Sequence, residues 1–187
     1  CDCAVIDIER HNMTVLPKSM FQLNALKNIR INNGPLEYIP KEIENLKKVV
    51  VLDLNYNKLK SVPNEISTLG IIKLQLANNM LNTLPDAAWG LNSIQWLELD
   101  NNNISHIPEN INNAKNLIIL FLSNNTLSEM KAYLFLPSLI SLTLDGNNIR
   151  HIPLEIGKLM NKLRMLTLQN NKILDIPAEI GQLNALW

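Results

Sequence analysis

An asparagine returns every 22 to 24 residues along much of this chain, at Asn57, Asn79, Asn102, Asn125, Asn147 and Asn171, each in the frame Leu-x-Leu-x-x-Asn-x-Leu/Ile. A single helix or hairpin cannot produce that interval, and a globule with one central core has no reason to keep it. A fixed period in this range belongs to a stack of similar units, each contacting only its neighbours. The repeated positions then build the stack, and whatever the protein does falls to the positions that vary.

Extending the frame to L-x-x-L-x-L-x-x-N-x-L-x-x-I-P divides the chain into eight units, opening at Cys3, Leu26, Val49, Ile71, Ile94, Leu117, Leu139 and Leu163, with Leu186 opening a ninth. The pairs Ile6/Ile8, Ile29/Ile31, Leu52/Leu54, Leu74/Leu76, Leu97/Leu99, Leu120/Leu122, Leu142/Leu144 and Leu166/Leu168 alternate with period two, which marks a short strand with one face buried. One strand per unit, stacked about 4.8 Å apart, gives a parallel sheet. The asparagine sits where the chain leaves the strand, and its amide can bond backbone groups that the turn leaves unpaired. His11 and Gly34 replace it in the first two units, so the N-terminal end is expected to be the less regular one.

The second half of each unit reads I/L/V-P-x-x-I-x-x-L, as in Ile39-Pro40, Ile43, Leu46 and Ile176-Pro177, Ile180, Leu183. Proline fixes an extended entry and the three-residue spacing suits a 3₁₀ or single-turn helix. Unit six carries Met130-Lys131 in place of the Ile-Pro pair, and the segment Leu159-Met160-Asn161-Lys162 is longer than its counterparts, so a bulge is expected there. The class is therefore an α/β solenoid of about eight repeats, with residues 1–187 forming a single domain.

Composition narrows the function. Apolar residues are 47% of the chain and the formal net charge is zero, which disfavours nucleic acid as a partner. The longest apolar runs fall short of the roughly 18 residues a membrane span needs. Cys1 and Cys3 stand too close for an unstrained bridge, and Cys1 has the position of a lipid-bearing first residue, the one route to a membrane that the sequence suggests. No glycine-rich phosphate loop or paired Cys–His arrangement is present, so neither an enzyme nor a bound cofactor is expected.

With Lys41-Glu42-Ile43, Asn64-Glu65-Ile66, Leu154-Glu155-Ile156 and Ala178-Glu179-Ile180 in the outer halves, the chain resembles leucine-rich repeat proteins of the short-repeat type, over essentially residues 3–186. The resemblance implies a horseshoe with a concave parallel sheet and 3₁₀ or extended convex segments, used for non-catalytic recognition. It leans toward bacterial secreted or cell-surface members that engage a host protein, because the cysteine-rich caps of animal extracellular members are missing. The alternative is a cytoplasmic eukaryotic scaffold of the Ras- or phosphatase-binding kind.

A partner would meet the side chains at the third, fifth, seventh and eighth places, which point from the strands onto the concave face. Folding does not require large apolar groups there, yet Trp96, Ile119 and Phe121 fall in adjacent units, with Val51 and Met165 in the same column as Trp96. Asp53, Glu98, Asp100 and Asp145 stand among them, and Tyr56 lies at an eighth place. An apolar patch edged by acid suits a partner with apolar anchors and Lys or Arg at its rim. Replacing Trp96 and Phe121 by alanine is expected to abolish binding and leave the melting temperature almost unchanged.

Two weaker patterns remain. His106, Glu129, His151 and Asp175 share one place in successive units and form a thin case for zinc, against a plain ladder of solvated His–carboxylate pairs. Asn12, Asn103 and Asn124 open N-x-S/T triplets, which arise by chance in so asparagine-rich a chain. Leu183, Leu186 and Trp187 are expected to be partly exposed at the C-terminal end, and either a monomer or a weak homodimer fits.

Overall fold

The computed structural model of the chain describes residues 4–159 and 162–186. Cys1, Cys3 and Trp187 lie outside the described residues, as do Met160 and Asn161 of the expected bulge. Eight strands follow in chain order: β1 (Ala4–Glu9), β2 (Leu26–Asn32), β3 (Val51–Asp53), β4 (Lys73–Gln75), β5 (Trp96–Glu98), β6 (Ile119–Phe121), β7 (Ser141–Thr143) and β8 (Met165–Thr167). Each pairs in parallel with the next, in one eight-stranded sheet. The expected solenoid is the observed fold. Its first two strands are the long ones, six and seven residues against three elsewhere, and their register shifts between Ala4 and Val5.

Alternation along each short strand separates two faces. Leu52, Leu74, Leu97, Leu120 and Leu142 are the middle residues of their strands and are at most 1% exposed. They join the convex-side Ile43, Ile66, Ile111 and Ile156 in one continuous core. Truncating one such leucine to alanine typically costs about 2–5 kcal/mol. In unit four Ala88 stands where its neighbours carry isoleucine, and Trp89 beside it is wholly buried. The large ring supplies volume that the alanine does not.

The asparagine column works as a buried bridge between units. Asn102 donates from Nδ2 to the carbonyls of Leu76 and Leu99 (2.9 and 3.1 Å), and its Oδ1 accepts the Leu81 N–H at 2.9 Å. Asn57, Asn79, Asn125, Asn147 and Asn171 repeat the pattern. The position demands a donor and an acceptor on one short side chain, which an amide provides and a carboxylate does not. In unit one the His11 Nδ1 accepts the Met13 N–H at 3.2 Å, a bond within its own unit. Its ring fills the space a side chain at position 34 would need, which accounts for Gly34.

On the convex side, five-residue 3₁₀ turns at Lys18–Gln22, Lys41–Asn45, Asn64–Thr68, Glu109–Asn113 and Ala178–Gln182 each follow a proline. The proline carbonyl accepts the N–H three residues on, as from Met20 to Pro17 and Ile43 to Pro40. Single-turn α-helices replace the 3₁₀ turn at α1 (Asp86–Trp89) and α2 (Ile156–Leu159). In unit six, where Lys131 stands for proline, the turn shrinks to Ala132–Leu134. These turns set the sheet's open face as the concave one.

The C-terminal end corrects one expectation. Leu183 is buried at 5% exposure, because it packs as the outer-half leucine of its own unit, while Leu186 is only partly covered. Exposure falls instead on Leu174 and Ile176, at 73% and 69%; the place of Ile176 is buried in the earlier units, as at Ile107 and Ile152, whereas that of Leu174 is exposed there too, as at Ser128 and Arg150.

Candidate functional site

Register decides which concave residues meet. Trp96 pairs with Ile119 and Glu98 with Phe121 across β5 and β6. The diagonal contact is aromatic: the Trp96 and Phe121 ring centroids lie 5.8 Å apart at 73°, edge to face. From β4 the Lys73 ammonium lies 3.9 Å from the centre of the Trp96 ring. An edge-on aromatic pair adds about 0.5–1.5 kcal/mol beyond its buried area, and a cation over the ring a comparable amount. Trp96, Ile119 and Phe121 are each half-buried. Trp96 Nε1 is shut off from solvent without a hydrogen-bond partner.

The other apolar candidates stand apart from this cluster. Val51 is half-buried on β3, with Lys73 between it and Trp96 in the register. Met165 is half-exposed on β8, where its sulfur accepts a bond from the Ser141 hydroxyl at 3.5 Å. Tyr56 is exposed at 56% beyond the end of β3. Its backbone is left-handed, at φ 56°, a feature shared by every described eighth place: Arg10, Asn33, Asn78, Asn101, Asn124, Gly146 and Asn170. Asparagine and glycine tolerate that conformation, whereas tyrosine is strained in it.

The acidic residues divide differently. Asp53 is buried at 8% exposure, and its carboxylate accepts bonds from the Asn32 amide (3.1 Å) and the Asn55 N–H (3.2 Å). It belongs to the wall of the sheet. Glu98 accepts a 2.7 Å bond from the Gln75 amide. Asp145 takes the Gln169 N–H at 2.7 Å and the Thr167 hydroxyl at 2.6 Å. Asp100 takes the Ser123 N–H at 2.6 Å. Partial burial pushes the Asp100 carboxyl up to about 6, against the pull of the Ser123 N–H, and the Glu98 and Asp145 charges push the same way.

These bonds reveal a second inter-unit ladder, at the seventh place. Asn55 does for Ala77 N–H, at 2.6 Å, what Asp100 does for Ser123 and Asp145 for Gln169. The signal in the sequence is the recurrence of Asn or Asp at the seventh place of alternate units, which the reading of these residues as simple concave polar groups passed over.

The His106–Glu129–His151–Asp175 column is dispersed along the outer edge. Glu129 pairs with Lys131 at 2.8 Å, and His151 with Asp175 at 3.4 Å, both largely in solvent. His106 has the Ser105 hydroxyl beside it at 3.5 Å. Among the described residues, no three His, Cys, Asp or Glu side chains converge on one point. Asn124 of the third triplet is exposed and donates to the Asn101 side chain at 3.0 Å.

Comparison with known proteins agrees with this geometry. A family model described as leucine rich repeat matches residues 67–104. No curated protein sequence matches the chain. A leucine-rich repeat protein of Leptospira interrogans superposes with a TM-score of 0.78 at 30% identity, over 97% of this chain and 52% of that one. An internalin C2 of Listeria monocytogenes gives 0.86 at 25% identity, over 98% and 78%. A plant peptide hormone receptor, solved in complex with the peptide RGF2, gives 0.85 at 27% identity, over 97% and 31%. This chain is a leucine-rich repeat protein. It spans about half the length of the Leptospira relative.

Proposed function

We propose that this leucine-rich repeat domain, taken as residues 1–187, is a non-enzymatic protein-interaction module that binds its partner on the concave face of units four to six. The observation that carries this reading is the Trp96–Ile119–Phe121 cluster, an aromatic and aliphatic surface on the side of the sheet that folding leaves free. Glu98, Asp100 and Asp145 beside it favour a protein segment that offers an apolar anchor with Lys or Arg alongside. Val51, Met165 and Tyr56 extend the surface as outlying contacts.

The setting that fits best is a bacterial secreted or surface protein engaging a host protein. Its support is the likeness to the Leptospira and Listeria proteins. The plant peptide hormone receptor, solved in complex with RGF2, supports the coarser reading of an interaction module.

Affinity capture from host and bacterial lysates tests the proposal, using the domain beside its Trp96→Ala/Phe121→Ala variant. A protein held by the unmodified domain and lost from the variant is the expected result, and its source identifies the compartment. The same proteins captured by both forms would remove the concave face from consideration.

A further inference from the structure

We propose that Asp100 is a proton-operated contact within the concave binding surface: charged, it holds a basic side chain of the bound protein segment; protonated, it releases that side chain. The inference rests on the concave reading above and names how that surface is regulated.

The structure contains its own control. At the seventh place of unit three, Asn55 accepts the next unit's N–H at 2.6 Å with a neutral amide oxygen. Asp100 makes the same bond, at the same length, to Ser123. The fold therefore needs an acceptor at this place and has no need of a negative charge. A partly buried carboxylate that an amide can replace is a cost to the folded state, and such costs concentrate where a ligand exploits them.

The surroundings of Asp100 leave its charge for an outside cation. On its own strand stands Glu98, a like charge bonded to Gln75. On the β6 side its neighbours are Phe121 and Ser123, neither of them ionic. Asp145, two units on, is also negative. The basic group on β4, Lys73, lies over the Trp96 ring. The histidines His106 and His151 stand at the thirteenth place of their units, outside the strands.

An arriving Lys or Arg would find three carboxylates close to an aromatic floor, which is the charge complementarity that commits the surface to a basic, apolar protein segment. Burial and the two like charges hold the Asp100 proton more tightly than in an ordinary aspartate, up to about pH 6. The step in affinity is assigned to Asp100, whose bond to Ser123 an uncharged amide could equally make, as Asn55 does for Ala77. Losing a charge-assisted bond at a half-buried site weakens binding roughly tenfold or more.

The test uses peptides of known sequence. Random 12-residue peptides displayed on phage are selected on the unmodified domain at pH 7.5. Those free of histidine that fail to bind Trp96→Ala/Phe121→Ala are synthesised. Their affinities for the wild type, Asp100→Asn and Asp145→Asn are then followed by fluorescence anisotropy from pH 7.5 to 5.0, with circular dichroism confirming each fold. The proposal expects Lys- or Arg-bearing peptides whose affinity for wild type begins to fall near pH 6 and is about tenfold lower at pH 5. Asp100→Asn should bind weakly throughout with no step, and Asp145→Asn should keep the step. A step that persists in Asp100→Asn, or no step in wild type, overturns the inference while leaving the concave reading intact. If every selected peptide binds the double alanine variant as well as wild type, the concave reading and this inference fail together.

Discussion

The seventh and ninth places of each repeat lie two residues apart, both carry short polar side chains, and both bond from one unit to another. They tolerate very different sequences. From unit three to unit eight the ninth place is always asparagine, because the buried amide must donate to two carbonyls and accept an N–H at once. The seventh place asks only for an acceptor, and only in alternate units, so it holds Asn55, Asp100 and Asp145 with Ala77, Ser123 and Gln169 between them. A position that demands both hydrogen-bonding roles is fixed by folding. One that demands a single role leaves its charge open to other uses, and the concave face takes its acid from there.

The sharpest way to break this contrast is at Asn102. Asn102→Ala leaves the buried Leu81 N–H unpaired, at about 1–3 kcal/mol, while the Leu76 and Leu99 carbonyls each keep one amide donor, from Asn79 and Asn125. A loss of about 2–3 kcal/mol in urea denaturation is expected. Asn102→Asp should fare no better, since a carboxylate cannot donate.

On the concave face the effect is smaller. Trp96→Ala/Phe121→Ala removes an edge-on pair and some half-buried area, for a loss of about 1–2 kcal/mol with the fold retained. That revises the expectation of an almost unchanged melting temperature, because Trp96 leans on Phe121 and under Lys73. A cooperative unfolding curve with an unchanged slope would verify it, and a collapse to a molten state would count against it.

Asp100→Asn should act in the opposite direction. Its folded pKa lies above the unfolded value, so the stability Asp100 contributes is complete at pH values below the unfolded pKa and is lost as pH rises through about 6. At pH 7.5 the asparagine variant should therefore be the more stable, by about 1 kcal/mol once solvent screening of this partly exposed group is allowed for. The gap should narrow steadily toward pH 4. A gap independent of pH would mean that the charge is not its source.

The smallest effect is expected at Tyr56, whose φ of 56° suits asparagine better than tyrosine. Tyr56→Asn should stabilise the domain by about 0.5–1 kcal/mol, measurable as a small rise in denaturation midpoint.

The period, the strand pairs, the asparagine bridge and the meeting of Trp96 with Phe121 were all legible in the sequence, because each follows from spacing alone. Asp53 shows where that legibility stops. It stands in the same concave column as Glu98, yet it is buried against Asn32 and Asn55, and only the neighbouring unit's side chains decide this. The left-handed eighth place was masked for a related reason: asparagine dominates it, and the repeat had already assigned asparagine to the ninth. Trp89 was passed over because its role depends on the size of Ala88 beside it.

The central claim, that the concave cluster binds the partner, meets its most direct test against a second apolar surface, the exposed Leu174 and Ile176 of unit eight. Calorimetry would compare a captured partner's affinity for Trp96→Ala/Phe121→Ala with that for Leu174→Ser/Ile176→Ser. The account predicts a loss of at least a hundredfold from the concave variant and less than threefold from the end variant. The reverse ordering would contradict it and move the binding surface to the end of the solenoid.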